Sequence, residues 1–81
     1  MENPYYVYAI SSTSRNYIYV GLTDNIERRL SEHNGGYNKT TKPYVPFILL
    51  YSECVKNRIE ARAREKYLKS GVGRAFLKSL T

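Results

Sequence analysis

"YYVYAI", residues 5–10, and "YIYVGLT", residues 17–23, hold five of the nine tyrosines in this chain of 81 residues. Both stretches are rich in β-branched and aromatic residues, and the polar run SSTSRN between them has the chemistry of a turn. The pattern therefore predicts a β-hairpin. Because a buried tyrosine hydroxyl needs a hydrogen-bond partner, a core of this size would normally use phenylalanine, so the tyrosines point to a function.

The two tyrosine strands are expected to meet at one spot. Side chains alternate between the faces of a strand, which places Tyr8 on one face of the first strand and Tyr19 on one face of the second. If these faces coincide, the two hydroxyls converge. Gly21 would then leave room for a ligand to approach the backbone closely.

A helix is predicted after the hairpin, in the sequence TDNIERRLSEHNGG. Asp24 is the expected N-cap, with Glu27 three residues later, and Gly35 and Gly36 are expected to end the helix. Arg29 lies four positions before His33, so the two side chains share one flank of the helix. The next ten residues, YNKTTKPYVP, read as a loop.

The second half of the chain predicts a strand and two helices. FILLYSE, residues 47–53, is an uninterrupted apolar run, which favours a strand covered on both faces at the centre of the sheet. Residues 57–70 have helix-forming composition. Ile59, Ala63 and Tyr67 form the expected apolar stripe of that helix, and Glu65 lies off it. Gly71 and Gly73 should break the helix before a short final one over residues 74–80, packed through Phe76, Leu77 and Leu80.

The predicted fold class is α+β, a three-stranded antiparallel sheet flanked by helices in the order β-β-α-β-α-α, as a single domain over residues 1–81. Hydrophobic residues make up 42% and charged residues 25% of the chain, which is typical of a globular protein. The one cysteine, Cys54, excludes an intramolecular disulfide and a cysteine-built zinc site, and is expected to be buried. With no apolar run of membrane-spanning length and no signal-peptide pattern, we expect a cytoplasmic protein with no membrane partner.

The net charge of +6 is concentrated near the end of the sequence. Residues 1–55 carry five basic and five acidic side chains, whereas residues 56–81 carry eight basic and two acidic ones. A basic stripe of this kind suits a polyanion, nucleic acid first. The alternative is a solvated helix face without a ligand.

A family resemblance follows from the order and spacing of four motifs. Tyr6-Val7-Tyr8 and Tyr19-Val20-Gly21 resemble the two halves of the signature of the GIY-YIG nuclease family. NIERRLSEH resembles the helix that carries the family's active-site arginine, here Arg29, with His33 as a frequent polar companion. EARAREKYLK resembles the later helix with the metal-binding glutamate, here Glu65. The resemblance covers essentially the whole chain and is closest to the small single-domain members related to the N-terminal nuclease domain of the nucleotide-excision repair protein UvrC.

Two positions depart from the family pattern. Tyr6 stands where the family name has its first glycine. The asparagine that many members carry after the glutamate helix has no counterpart near GVGRAFLKSL.

The resemblance implies an endonuclease that hydrolyses DNA phosphodiesters in repair or processing. Glu65 would hold one divalent ion, Mg²⁺ or in its place Mn²⁺, and Arg29 would grip the phosphate with its planar fork. Tyr8 and Tyr19 would position the attacking water or take its proton, and the residues leave open which of them is the base. His33 would orient a water or a tyrosine.

The partner implied is DNA, structured or damaged, or RNA. Five basic side chains are candidates for phosphate contacts: Lys39, Lys42, Lys66, Lys69 and Arg74. Two other functions compete with the nuclease. One is a nucleic-acid-binding module of the same fold with little cleavage of its own, and the other is a protein-interaction adaptor, which would have no reason to keep the four motif residues together. The sequence leaves the oligomeric state open.

Overall fold

Three antiparallel strands form one sheet in the computed structural model, which describes residues 4–81; residues 1–3 of the predicted domain lie outside the described part. The strands are β1 (Tyr5–Ser12), β2 (Ile18–Thr23) and β3 (Phe47–Val55). The predicted hairpin is confirmed, because β1 pairs with β2 in antiparallel register. The predicted α+β class and element order are confirmed as well.

The prediction that the third strand is central was wrong. The strand order is β2-β1-β3, so β1 occupies the centre and all four of its residues from Val7 to Ile10 are buried. On the edge strand β3, the side chains of Ile48 and Leu49 remain 55% and 43% exposed. An apolar run indicates β propensity but does not fix the position of a strand, and here the stretch covered on both faces is Val7 to Ile10 of β1.

The helices cover the two faces of the sheet. One face packs through Val7, Ala9 and Val20 against α2 (Arg58–Lys69) and α3 (Gly71–Lys78). The opposite face carries the side chains of Tyr8, Tyr17 and Tyr19. It packs against α1 (Ile26–Asn34) and against the segment around a short 3-10 helix (Lys42–Tyr44).

The cap of α1 differs from the prediction. Asn25 is the N-cap, since its side-chain oxygen accepts a hydrogen bond from the Arg28 amide at 3.0 Å. Asp24 lies one residue too early for this bond, and its carboxylate pairs with the Arg28 guanidinium at 2.6 Å instead. The predicted end is confirmed, because Gly35 is the C-cap and Gly36 has a φ of 80°, a left-handed value that suits glycine.

The apolar stripe predicted for α2 was also wrong. The helix buries Ala61 and Leu68, whereas Ile59 is 81% exposed and Ala63 lies on the outside. The small side chain of Ala61 lets α2 approach the sheet closely. The bulky Tyr67 ring stays outside, where the Arg64 guanidinium lies 4.8 Å from its centroid. Because α2 faces the sheet through Ala61 and Leu68 and not through the predicted stripe, Glu65 lies on the inward side of the helix.

The break between α2 and α3 lies at Ser70, one residue before the glycines. Ser70 has extended backbone, and its hydroxyl oxygen caps α3 by accepting from the Gly73 amide. Both glycines therefore belong to α3, which begins earlier than predicted. Of the expected apolar contacts of this helix, Leu77 is buried, whereas Phe76 and Leu80 are exposed by about two fifths.

Two further features bear on the expectations about cellular context. Cys54, expected to be buried, is exposed on β3, because its side chain lies on an edge strand. No helix within residues 4–81 has both the length and the hydropathy that crossing a membrane requires.

Candidate active site

The ring of Tyr8 lies across β2, above Gly21. These two residues are directly paired in the sheet, and a Cβ added at Gly21 would lie 2.7 Å from the Tyr8 hydroxyl oxygen. The Tyr19 ring adjoins it, with the two ring centroids 6.3 Å apart. The convergence of the two tyrosines thus follows from the pairing of the strands. The missing side chain at Gly21 admits these rings, and close approach of a ligand to this backbone stays a prediction.

A buried hydrogen-bonded chain runs from the hydroxyl of Tyr8 into the protein. The Tyr8 hydroxyl lies 2.8 Å from Nε2 of His33, and Nδ1 of His33 lies 2.8 Å from the hydroxyl of Thr41. Both His33 and Thr41 are fully buried. The Thr41 hydroxyl donates to the Asn38 carbonyl at 3.4 Å, so its oxygen accepts from Nδ1–H. His33 then offers a lone pair at Nε2, and Tyr8 is the donor.

The chain is uncharged over a wide pH range. Burial raises the pKa of Tyr8 to about 12, although the hydrogen bond from Arg29 works in the opposite direction. Burial also lowers the pKa of His33 to about 4, and the positive charge of Arg29 adds to that effect. At neutral pH the phenol and the imidazole are therefore both neutral.

Arg29 joins this cluster from α1. Its side chain is 29% exposed, and its Nη1 donates to Glu32 at 2.9 Å. The pKa of Arg29 is raised: burial opposes the charge, but the hydrogen bonds to Glu32 and Tyr8 outweigh it. The guanidinium thus has one side at Tyr8 and a partly solvated side for a ligand. Arg28 is half exposed and pairs with Asp24 at 2.6 Å, with a longer contact of 3.7 Å to Glu32.

Glu65 approaches the cluster from the other face of the sheet. Its side chain is 16% exposed, and its negative charge contributes to the raised pKa of Tyr8. This is possible because the Tyr8 ring reaches over Gly21 onto β2, against which α2 packs. The Glu65 carboxylate accepts from Lys69 at 3.2 Å and lies 4.0 Å from Arg62. The site therefore draws on both layers of helices.

The oxygen ligands that the protein offers near the tyrosine cluster suit a hard, well-hydrated cation. Within residues 4–81 no group of three or more histidine, cysteine, aspartate or glutamate side chains is placed to hold a metal ion. Glu65, with a side chain that is 16% exposed, offers one carboxylate. Mg²⁺ takes oxygen ligands and keeps several waters, so one protein carboxylate together with substrate phosphate oxygens fits its requirements.

The five predicted phosphate-binding residues fall into separate places. Lys39 and Lys42 are exposed in the loop after α1, and Lys66 is exposed on α2. Lys69 and Arg74 line a groove of about 450 Å³ that Tyr19 also borders. The structure thus brings two of the five next to the tyrosine cluster.

Sequence reasoning missed Thr41 and Asn34. Thr41 holds the far side of His33, and the Asn34 side chain exchanges hydrogen bonds with the backbone of Phe47 at 2.7 and 3.1 Å, which ties the end of α1 to the start of β3. Thr41 sits in a polar loop, where a threonine normally faces solvent, so no periodicity marks it as buried.

A family model, related sequences and a solved structure all place the chain among proteins with a GIY-YIG domain or the UPF0213 name. Residues 4–76 match the family model described as the GIY-YIG catalytic domain. A UPF0213 protein of Bacillus licheniformis is 40% identical over 68 residues, covering 83% of this chain and 69% of that protein. A UPF0213 protein of Haloquadratum walsbyi is 37% identical over 71 residues, covering 86% and 79%. The solution NMR structure of a UPF0213 protein from Bacillus halodurans superposes with a TM-score of 0.55 at 28% identity, covering 96% of this chain and 85% of the other.

Proposed function

The chain belongs to the GIY-YIG nuclease family, and we propose from this premise that it is a metal-dependent endonuclease that hydrolyses DNA phosphodiester bonds in repair or processing. One observation carries the proposal. The hydroxyl of Tyr8 is hydrogen-bonded to a buried neutral His33, and the partly exposed guanidinium of Arg29 lies beside it. A polar chain of this kind in a core is costly to build, so a structural role alone explains it poorly.

Arg29 would hold the phosphate. Its planar fork gives paired hydrogen bonds to two non-bridging oxygens, and its charge offsets the negative charge that develops on phosphorus. Glu32 keeps the guanidinium oriented from behind, at 2.9 Å. The substrate would thus enter from the exposed side of Arg29.

Tyr8 would orient the attacking water. Its hydroxyl donates to Nε2 of His33, because Thr41 already occupies Nδ1, and its oxygen keeps a lone pair that would accept a hydrogen bond from the water. With a Tyr8 pKa of about 12 and a His33 pKa of about 4, both groups stay neutral and would hold the water without taking its proton. Tyr19, beside the same ring, would take the proton of the water.

Glu65 would hold the divalent ion that nucleases of this family generally use. When bound, such an ion polarises the phosphate and stabilises the leaving oxygen. Glu65 would exchange its bond to Lys69 for this role, and Lys69 would turn to the substrate backbone.

Nicking of supercoiled plasmid tests the proposal. Wild type should nick with Mg²⁺ or Mn²⁺ and stop when a chelator is added. Glu65→Gln should remove the activity and leave the fold intact, since it deletes the charge and keeps the shape. Glu60→Gln, on the exposed first turn of the same helix, is the matched control and should stay active. Nicking by Glu65→Gln at the wild-type rate would place the metal elsewhere.

A binding module with little cleavage is the second candidate. The ion pair between Glu65 and Lys69 favours it, because that lysine competes with a cation for the carboxylate. Titration calorimetry with Mn²⁺ separates the two functions. Heat of binding that is lost in Glu65→Gln supports the nuclease, and DNA binding without any Mn²⁺ heat supports the module.

A further inference from the structure

A groove of about 450 Å³ lies between β2 and the junction of α2 and α3. One wall is the segment from Asn16 to Val20, which runs into β2, and the buried side chains of Leu68 and Leu77 close the bottom. The other wall carries three basic side chains, from Lys69, Arg74 and Lys78, and none of the residues that line the groove is acidic. The groove thus combines a partly exposed wall of two tyrosines and an isoleucine with a basic rim.

The strand wall of the groove is aromatic and lies at the sheet edge. β2 is an edge strand, so every second backbone amide and carbonyl faces away from β1. Tyr17 is held in place by stacking on Tyr44, with ring centroids 3.9 Å apart. The pKa of Tyr17 is raised, mainly by burial, and the charge of Arg74 counteracts this rise, which places that charge within reach of the Tyr17 hydroxyl.

The groove opens directly beside the candidate active site. Tyr19 belongs to both, and Lys69 joins them because it lines the groove and bonds to Glu65 at 3.2 Å. A polynucleotide whose phosphate lies at Arg29 would therefore pass its neighbouring residue along the outer edge of β2.

We propose that this groove holds an unpaired nucleotide next to the cleaved phosphate, so that the protein acts on single-stranded DNA or on single-stranded branches; this inference rests on the proposed nuclease function. A phosphate alone needs only the basic rim. The partly exposed tyrosine wall is what a splayed nucleobase needs, since proteins bind single strands by combining a basic groove with aromatic surfaces. In duplex DNA the base is stacked and paired and does not reach such a wall.

Binding in the presence of a chelator tests the groove apart from cleavage. The probe is a short fluorescein-labelled oligothymidine, followed by fluorescence anisotropy, with a blunt duplex of equal length as comparison. Lys78→Glu should weaken oligothymidine binding about tenfold more than Lys56→Glu. The second variant makes the same charge change at the end of β3, away from the groove. Duplex binding should fall equally in both.

Tyr17 supplies an independent check. Tyr17→Ala should weaken oligothymidine binding several-fold, and Tyr17→Phe should restore the affinity, because stacking on a base uses the aromatic ring and not the hydroxyl. Circular dichroism melts show that both variants fold.

The outcomes separate the groove from the nuclease. Equal losses of oligothymidine affinity in the two lysine variants, or wild-type affinity in Tyr17→Ala, would contradict the proposed nucleotide site in the groove. A dimer in sedimentation that forms without DNA and is lost in Lys78→Glu also overturns it, because the groove would then hold a second copy. Oligothymidine binding that depends on the groove, without any plasmid nicking, would support the nucleotide site and contradict the proposed nuclease function.

Discussion

Arg29 is the side chain on which the proposed chemistry depends most. If its fork holds the phosphate as charge develops, Arg29→Lys should lower the cleavage rate about a hundredfold or more, because a point charge cannot replace paired hydrogen bonds. Binding should barely change. A plasmid-nicking time course on purified proteins measures the cleavage rate, and fluorescence anisotropy in the presence of a chelator measures binding.

Arg28→Ala is the neighbouring control for Arg29. Arg28 is half exposed and bonded to Asp24, so its loss should leave the nicking rate unchanged. If Arg28→Ala is inactive while Arg29→Lys works normally, the phosphate-binding arginine has been assigned to the wrong residue.

His33 should make the stability of the protein depend on pH. Its pKa falls from 6.5 to about 4 on burial, so between these values the unfolded chain binds a proton that the folded chain does not. Stability is complete above pH 6.5 and is lost as the pH falls toward about 4, by roughly 3 kcal/mol over the window. Urea unfolding at about pH 7 and about pH 5 should show about 2 kcal/mol of this difference in wild type and less in His33→Gln. Equal differences in the two proteins would contradict the burial of a neutral imidazole.

The tyrosine cluster shows how far sequence reasoning reaches for single side chains. The alternation of a strand was enough to bring Tyr8 and Tyr19 together, because pairing partners of a hairpin share a face. The link from His33 to Thr41 depends on how a loop folds back over α1, and loop conformation has no periodic signal in the sequence.

Gly73 controls how closely α2 and α3 pack. A Cβ at this position would collide with the backbone of Tyr67 and Leu68, which cannot move aside as a flexible side chain would. Gly73→Ala should therefore destabilise the protein by about 1–3 kcal/mol. In a thermal melt each kcal/mol corresponds to roughly 4–8 °C for a chain of this size.

Gly71→Ala is the matched control on the same helix. Nothing lies within 4 Å of a Cβ at Gly71, so the change should be neutral or slightly stabilising. Equal melting temperatures for the two variants would contradict a close contact at Gly73.

Element types were predictable from the sequence, whereas their placement was only partly so. The sequence pattern predicts that the glycines after α2 break the helix, yet one of them makes the close contact between helices, and sequence alone does not distinguish these uses. The apolar stretch of β3 is compatible with an edge strand and with a central strand. Its position in the sheet is decided by pairing with residues that are far away in the sequence. Local signals fixed the hairpin and α1; tertiary packing fixed the rest.

The charge of the whole protein should govern how it binds nucleic acid. The excess of basic residues lies in residues 56–81, which form α2 and α3 on one side of the sheet. We expect binding that tolerates sequence changes and weakens steeply as salt rises, since each phosphate contact releases a counterion. Anisotropy titrations at several salt concentrations measure the slope. Affinity that stays constant with salt, or strong preference for one duplex sequence, would contradict it.

The central position of β1 also sets the order in which the protein matures on the ribosome. Tyr5 pairs with Val55, so the sheet stays incomplete until β3 has emerged, and such distant pairing makes folding slower than hairpin formation. Arg29 and His33 precede β3 in the chain, whereas Glu65 follows it. A nascent chain of the proposed nuclease would thus carry its phosphate-binding groups before the carboxylate needed for cleavage, and would become able to cut only after α2 has emerged.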